Sequence, residues 1–419
     1  MEDKLGIRTD VLGCFGANGK LANELLSYNE NRFQRAAVNL SHFPLPDESF
    51  VAAWREYARA TEEECTIDAL GKYLVQFRFP IQAAISESEE YLAATRRGMD
   101  TNGMKLAVGL SLRNPRQCRL TIHSTAAGCV PILTAQERDD FVTLVQALTH
   151  RNEPHFVPES MGACMVAGFN NWHRIFRLRD CFMATASPDD SWIEEFKRIK
   201  SQKELYQDRF IILSTGPYSA VNASDVGFDE EEWLSISLVI RREHECTHYF
   251  TQRVFSSMRN NLLDELIADF MGITTAIGRF RSDWLLRFMG LESFPSYRNR
   301  GRLQNYRGEP PLSDAAFTIL QKMVVAAAAN LEDFDRHHAL DFQCLQIRAA
   351  MLLMLTALSV EEMAARNANR IMDAAFVHAL QVLESQRVSR DTGPNADRIA
   401  TATTEWYIAD AGSKAIDKE

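Results

Sequence analysis

Several things are missing from this chain of 419 residues. The eight cysteines include no CxxC pair and no tight cluster. A disulfide-stapled or Cys-rich zinc-ribbon architecture is therefore excluded, and the reading is of reduced, mostly buried thiols in a cytosolic protein. The start, Met-Glu-Asp-Lys-Leu-Gly, carries no apolar stretch of the secretory kind. The longest apolar run, near Ala349 to Val360, is too short to span a bilayer and sits in an amphipathic pattern. Basic excess is also lacking. The formal net charge is -10, which argues against a nucleic-acid binder. No repeat at a fixed period and no low-complexity linker divides the chain. These absences leave a water-soluble cytoplasmic protein, with no nucleic-acid and no membrane partner and an oligomeric state that the sequence does not specify. The composition is 46% hydrophobic and 24% charged, ample for a sizeable core.

Local patterns suggest three regions. Residues 1–155 read as a mixed α/β lobe. Helices are expected over Lys20 to Tyr28 and Glu48 to Ala60, and short strands over Lys105 to Leu112 and Arg119 to His123, with Asn114-Pro115 as a turn between the strands. Thr134-Ala135-Gln136-Glu137 reads as a capping box before apolar residues at helical spacing. Residues 156–290 hold an irregular, small-residue stretch around 161–173, a helix over Trp192 to Leu205, and a strand over Arg209 to Ser214 ended by Gly216-Pro217. Residues 291–419 read as a helical extension. Ser313 and Ser359 are candidate N-caps, the latter with Glu362 completing a capping box. Helix is expected to near residue 388, and the tail from Thr392 is polar.

The segment that carries chemistry is Glu243-His244-Glu245-Cys246-Thr247-His248. Its flanks, uninterrupted by proline or glycine, favour a helix from about Glu231 to Met258. Residues four apart on a helix differ by only about 40° around its axis. His244 and His248 can therefore grip one metal ion, with Glu245 at the edge, where a base can take a proton from an activated water. A catalytic zinc takes three protein ligands and leaves one position open. The stretch Asn261 to Gly272 supplies the third: Glu265 follows His248 by 17 residues, enough for a turn and a second helix. Asp269 is one helical turn beyond Glu265 and would accept the free imidazole N–H of one histidine.

This combination resembles the gluzincins, the zinc peptidases that include thermolysin and the CAAX prenyl protease group. Their shared device is a His-Glu-x-x-His helix followed by a helix bearing Glu-x-x-x-Asp. Glu265, Ala268, Asp269 and Gly272 are most similar to the prenyl-protease-like branch, and the likeness spans roughly residues 205–280. Arg242, Cys246 and the lack of membrane helices depart from the pattern.

The resemblance implies an α+β fold with a zincin-like catalytic region. It further implies a Zn2+ cofactor on His244, His248 and Glu265, Asp269 behind the ligands, Glu245 as catalytic base, and a peptide or protein substrate. It also implies an edge strand before the motif helix that binds extended peptide, and Arg209 to Ser214 stands in the right order. A zinc hydrolase of a non-peptide amide or ester, or a non-catalytic interaction protein, are the alternatives. Tyr297, Tyr306 or an arginine of the loop 296–307 are candidate oxyanion donors, against the plainer reading of a solvated basic loop.

Overall fold

A computed structural model describes residues 2–33, 43–187, 190–257, 260–299 and 301–388, and the polar tail expected from Thr392 lies outside them. The fold is α+β with a helical C-terminal region. Its sheet contains β1 (Arg119–Thr125), β2 (Gly128–Ala135), β3 (Ala163–Asn170) and β4 (Gln207–Ser214), in the order β1-β2-β4-β3. β1 and β2 form an antiparallel hairpin, β2 and β4 run parallel, and β3 and β4 run antiparallel.

The structure departs from three of these expectations. β4 is not the edge strand. It lies between β2 and β3, and its run Phe210–Leu213 is buried on both faces. The edge beside it is β3, in the stretch that reads as irregular. Gly168, at φ 77°, sits where the register slips between Ala167 and Phe169. This bulge breaks the alternation by which a strand is recognised. The supposed capping box at Thr134–Glu137 is instead the end of β2, and Glu137 caps the next helix without a side-chain bond. Finally, Lys105 to Leu112 forms no strand. The sheet joins strands from both sides of the boundary expected at 155/156.

Helices cover both faces of the sheet. Before it come α1 (Glu2–Cys14), α2 (Lys20–Tyr28), α3 (Val51–Ala60), α4 (Thr66–Gly71) and α5 (Glu89–Arg97). Between the strands lie α6 (Arg138–Thr149), α7 (Trp172–Thr185) and α8 (Trp192–Ser201). After it follow α9 (Ala223–Val226), α10 (Glu230–Phe255), α11 (Leu262–Ile277), α12 (Ser282–Met289), α13 (Asp314–His338), α14 (Leu345–Leu355), α15 (Val360–Ala364) and α16 (Ala368–Val388). Alternate residues of β4 serve two cores. Phe210 and Ile212 join α3 and α6, whereas Ile211 and Leu213 join α10 and the C-terminal helices. The capping box at Ser359 and Glu362 forms, and Ser313 caps α13. The apolar run from Ala349 is buried all round in α14 rather than amphipathic. Among the described residues no helix is long and apolar enough to cross a membrane.

Candidate metal centre

Helix α10 is strongly specified. Asp229 caps its first turn, accepting from Glu232 N at 2.8 Å, and Glu230, Glu231 and Glu232 complement the positive helix end. Ser256, at φ 56°, ends it. α11 packs against α10 so closely that a Cβ on Gly272 would stand 2.8 Å from the Ile240 carbonyl oxygen. Glycine at that point lets the two helix backbones approach, and this brings the carboxylates of α11 against the imidazoles of α10.

His244, His248 and Glu265 converge. The two imidazole Nε2 atoms are 3.1 Å apart. Glu265 Oε2 lies 3.5 Å from His244 Nε2, and Glu265 Oε1 lies 3.5 Å from His248 Nε2. Ligands about 2.0–2.2 Å from a tetrahedral ion stand about 3.3–3.6 Å from one another, so this triangle fits one small cation. The far side of each imidazole meets a carboxylate. Asp269 Oδ1 is 2.9 Å from His244 Nδ1, where it accepts that nitrogen's proton and turns Nε2 toward the other donors. Asp264 Oδ1 is 3.7 Å from His248 Nδ1, and Asp264 also accepts from Thr251 Oγ1 at 3.3 Å. His248 Nδ1 and Asp264 Oδ2 are both buried without a hydrogen-bond partner among the described residues.

The electrostatics agree with the geometry. Burial pulls the His244 pKa down, but hydrogen bonds to Asp269 and Glu265 hold it up at about 10. His248 is likewise raised, against its burial, by Asp264 and Glu265. Burial would raise Glu265, yet the two imidazoles hold it far below the usual carboxylate range. A cluster that retains protons on its bases and sheds them from its acid is short of positive charge.

Four residues whose place beside the centre local sequence patterns do not reveal complete the surroundings. Arg241 is buried and donates to Ser214 O at 2.7 Å and Pro217 O at 3.2 Å, fixing the turn that presents Tyr218. Tyr218 donates to Asp269 Oδ1 at 2.6 Å. Arg302 reaches Tyr218 Oη at 3.0 Å and pairs with Asp269 Oδ2. Tyr306 donates to Glu265 Oε2 at 2.7 Å. The arginines of the 296–307 loop described here are thus engaged internally. Arg298 pairs with Glu292 and Arg307 with Asp314. Tyr297 donates to Gly301 O within the loop itself. Each of these side chains already has a partner within the protein.

Glu245 is half-buried and points toward the edge strand. Burial, then the Glu245 charge, push the Cys164 thiol of β3 up to about 11. Among the described residues no hydrogen bond or ion pair engages Glu245. The neighbouring Glu243 is different. It meets His123 Nε2, Arg242 Nε and Arg348 Nη1, each at 2.9 Å, with Cys246 buried alongside. Burial works against its charge, but these partners hold its pKa at about 2. Of the other described histidines, His173 bonds Tyr57, His338 bonds Asp373, and His150 stacks on His155. In the Asn170–His173 stretch, Asn171 caps α7 and donates to the buried Asp208 at 2.7 Å, a structural role.

The chain belongs to a family of unknown function, DUF7005, whose profile matches residues 10–367. No curated protein and no solved structure matches it.

Proposed function

We propose that this chain is a cytoplasmic zinc-dependent hydrolase, most simply a peptidase of the gluzincin kind. The observation that carries the reading is the triangle of His244 Nε2, His248 Nε2 and a Glu265 oxygen, each imidazole backed by a carboxylate. Charge supports a dication. Among the described residues, Asp264, Glu265 and Asp269 are set against one guanidinium, that of Arg302, leaving two negative charges in a buried site with neutral imidazoles. The eight unpaired thiols are in keeping with a reducing compartment.

Zinc, when bound, supplies an acidified water and a polarised substrate carbonyl. The protein's own groups do the rest. His244 and His248 present lone pairs because their opposite nitrogens face Asp269 and Asp264. Glu245, whose carboxylate no other described residue engages, accepts the proton of the attacking water and delivers it to the leaving nitrogen. β3 supports a peptide substrate: among the described residues no strand pairs with its outer side, so an extended chain can add to it. The β3 end nearest Glu245 carries Ala163 and Cys164, small side chains beside which a peptide backbone can lie.

Metal analysis of the purified chain and a peptide-library digest, wild type beside Glu245→Gln, test this. The expected result is one zinc per chain in both. Turnover in the variant should fall at least about 100-fold, the lower end for removing a general base. Zinc without cleavage of any peptide would move the reading to another amide or ester. A well-folded chain with no metal would leave an interaction protein.

A further inference from the structure

We propose that Arg302 and Tyr306, the two ends of one 3-10 turn, are positioning residues that set how tightly and in what geometry the metal centre holds its ion. This rests on the reading that the centre binds a metal. The turn (Arg302–Tyr306) packs on α12 and reaches α11 through two side chains that are four residues apart, as are the carboxylates they meet. Arg302 takes Asp269, the carboxylate behind His244. Tyr306 takes Glu265, the carboxylate beside both imidazoles.

Each contact removes a freedom that the centre would otherwise have. Asp269 receives Tyr218 Oη and His244 Nδ1 on one oxygen and Arg302 on the other, so the carboxylate cannot rotate away from the imidazole. The Arg302 guanidinium also lies over the Tyr218 ring, 5.4 Å from its centroid, and holds the tyrosine whose hydroxyl shares Asp269. Tyr306 fixes Glu265 Oε2 at 2.7 Å, which orients the plane of the third ligand. The turn is itself anchored. Leu303 is fully buried, and a Cβ on Gly301 would stand 2.7 Å from Met289 O, so the strap sits directly on the end of α12. Tyr297 Oη receives Gln304 N at 2.9 Å, and Tyr28 of α2 donates to Tyr306 O. Tyr28 O in turn accepts from Asn261 at the start of α11. One N-terminal tyrosine thereby ties the strap to the helix that carries Glu265.

The test uses the full chain with Arg302→Met, Arg302→Lys and Tyr306→Phe. Zn2+ affinity is read by competition with a chromophoric chelator, Co2+ geometry by the visible absorption of the cobalt-loaded protein, and folding by circular dichroism. Arg302→Met and Tyr306→Phe should each weaken zinc about 10–100-fold, the range for ligand-orienting partners, and Tyr306→Phe should also shift the cobalt bands. Arg302→Lys should recover part of the affinity, because one ammonium can meet Asp269 but cannot also hold Tyr218. Tyr306→Phe removes a single oxygen and keeps the ring, so it decides the matter if Arg302→Met does not fold. Variants that hold zinc as the wild type does, with unchanged cobalt bands, overturn this inference alone. A wild type that binds neither ion overturns the metal reading and this inference with it.

Discussion

Glu243 and His244 are neighbours on one helix and anchor two buried clusters of similar composition. One gathers His123, Glu243 and Cys246, the other His244, His248 and Glu265. Both put three metal-binding residue types within reach of one point. They differ in what has already been spent. In the first, both oxygens of Glu243 are taken by Arg348, Arg242 and His123, and the cations are built in. In the second, two imidazole Nε2 atoms and a carboxylate turn toward one another, and the guanidinium of Arg302 stands behind, on Asp269. A set of donor residues is therefore not a site. A site needs lone pairs aimed at a common point that no protein cation already occupies.

The largest effect should come from breaking the closed cluster. Glu243→Gln leaves Arg348 and Arg242 without their shared carboxylate. Removing one partner of a buried ion pair costs roughly 3–5 kcal/mol, measured here as a lower denaturant midpoint. Zinc content should not change. The pH dependence has a definite sign. The folded pKa of Glu243 is about 2 against an ordinary 4.5, so its contribution is present above about pH 4.5 and is lost as pH falls toward 2. That amounts to roughly 3 kcal/mol, and the variant's acid limb should lack it. A variant as stable as the wild type would show that the arginines find other partners. One that loses zinc would show that the two clusters act as one.

A smaller effect is expected behind the open cluster. Asp269→Asn keeps the shape but can present an amide N–H where His244 Nδ1 needs an acceptor. Zinc affinity should fall about 10–100-fold in a protein that still folds. Equal zinc retention under chelator challenge would remove Asp269 from the centre.

The contrast between the clusters also explains what could be read in advance. His244, His248, Glu265 and Asp269 are legible because helical spacing places them, and 17 residues allow only a short turn between the two helices. Asp264, Tyr218, Arg302 and Tyr306 are not legible as partners of these groups. Tyr218 lies 51 residues from Asp269, Arg302 lies 33 from it, and Tyr306 lies 41 from Glu265, so only tertiary packing joins them. Glu243 precedes the motif but finds His123 from β1 and Arg348 from α14. The same distinction holds in the sheet. β4 reads as a strand from its apolar run, but its central place depends on β3, which Gly168 and small residues disguise.

The smallest expected effect tests whether the two imidazoles are held unequally. Asp269 meets His244 at hydrogen-bond distance, with Tyr218 and Arg302 fixing the carboxylate. Asp264 stands 3.7 Å from His248 Nδ1, beyond hydrogen-bond reach, with Thr251 at 3.3 Å and, among the described residues, no guanidinium behind it. An orienting group stabilises its histidine only as far as the hydrogen bond is made, so Asp264→Asn should weaken zinc by less than about tenfold. The side-chain amide also retains a carbonyl oxygen that can serve the same N–H. Parallel titration of Asp264→Asn and Asp269→Asn against one chelator gives the ratio directly. If Asp264→Asn proves as damaging as Asp269→Asn, then metal binding draws His248 onto Asp264. The two carboxylates would then be equivalent in the loaded centre, and the asymmetry would belong to the metal-free arrangement alone.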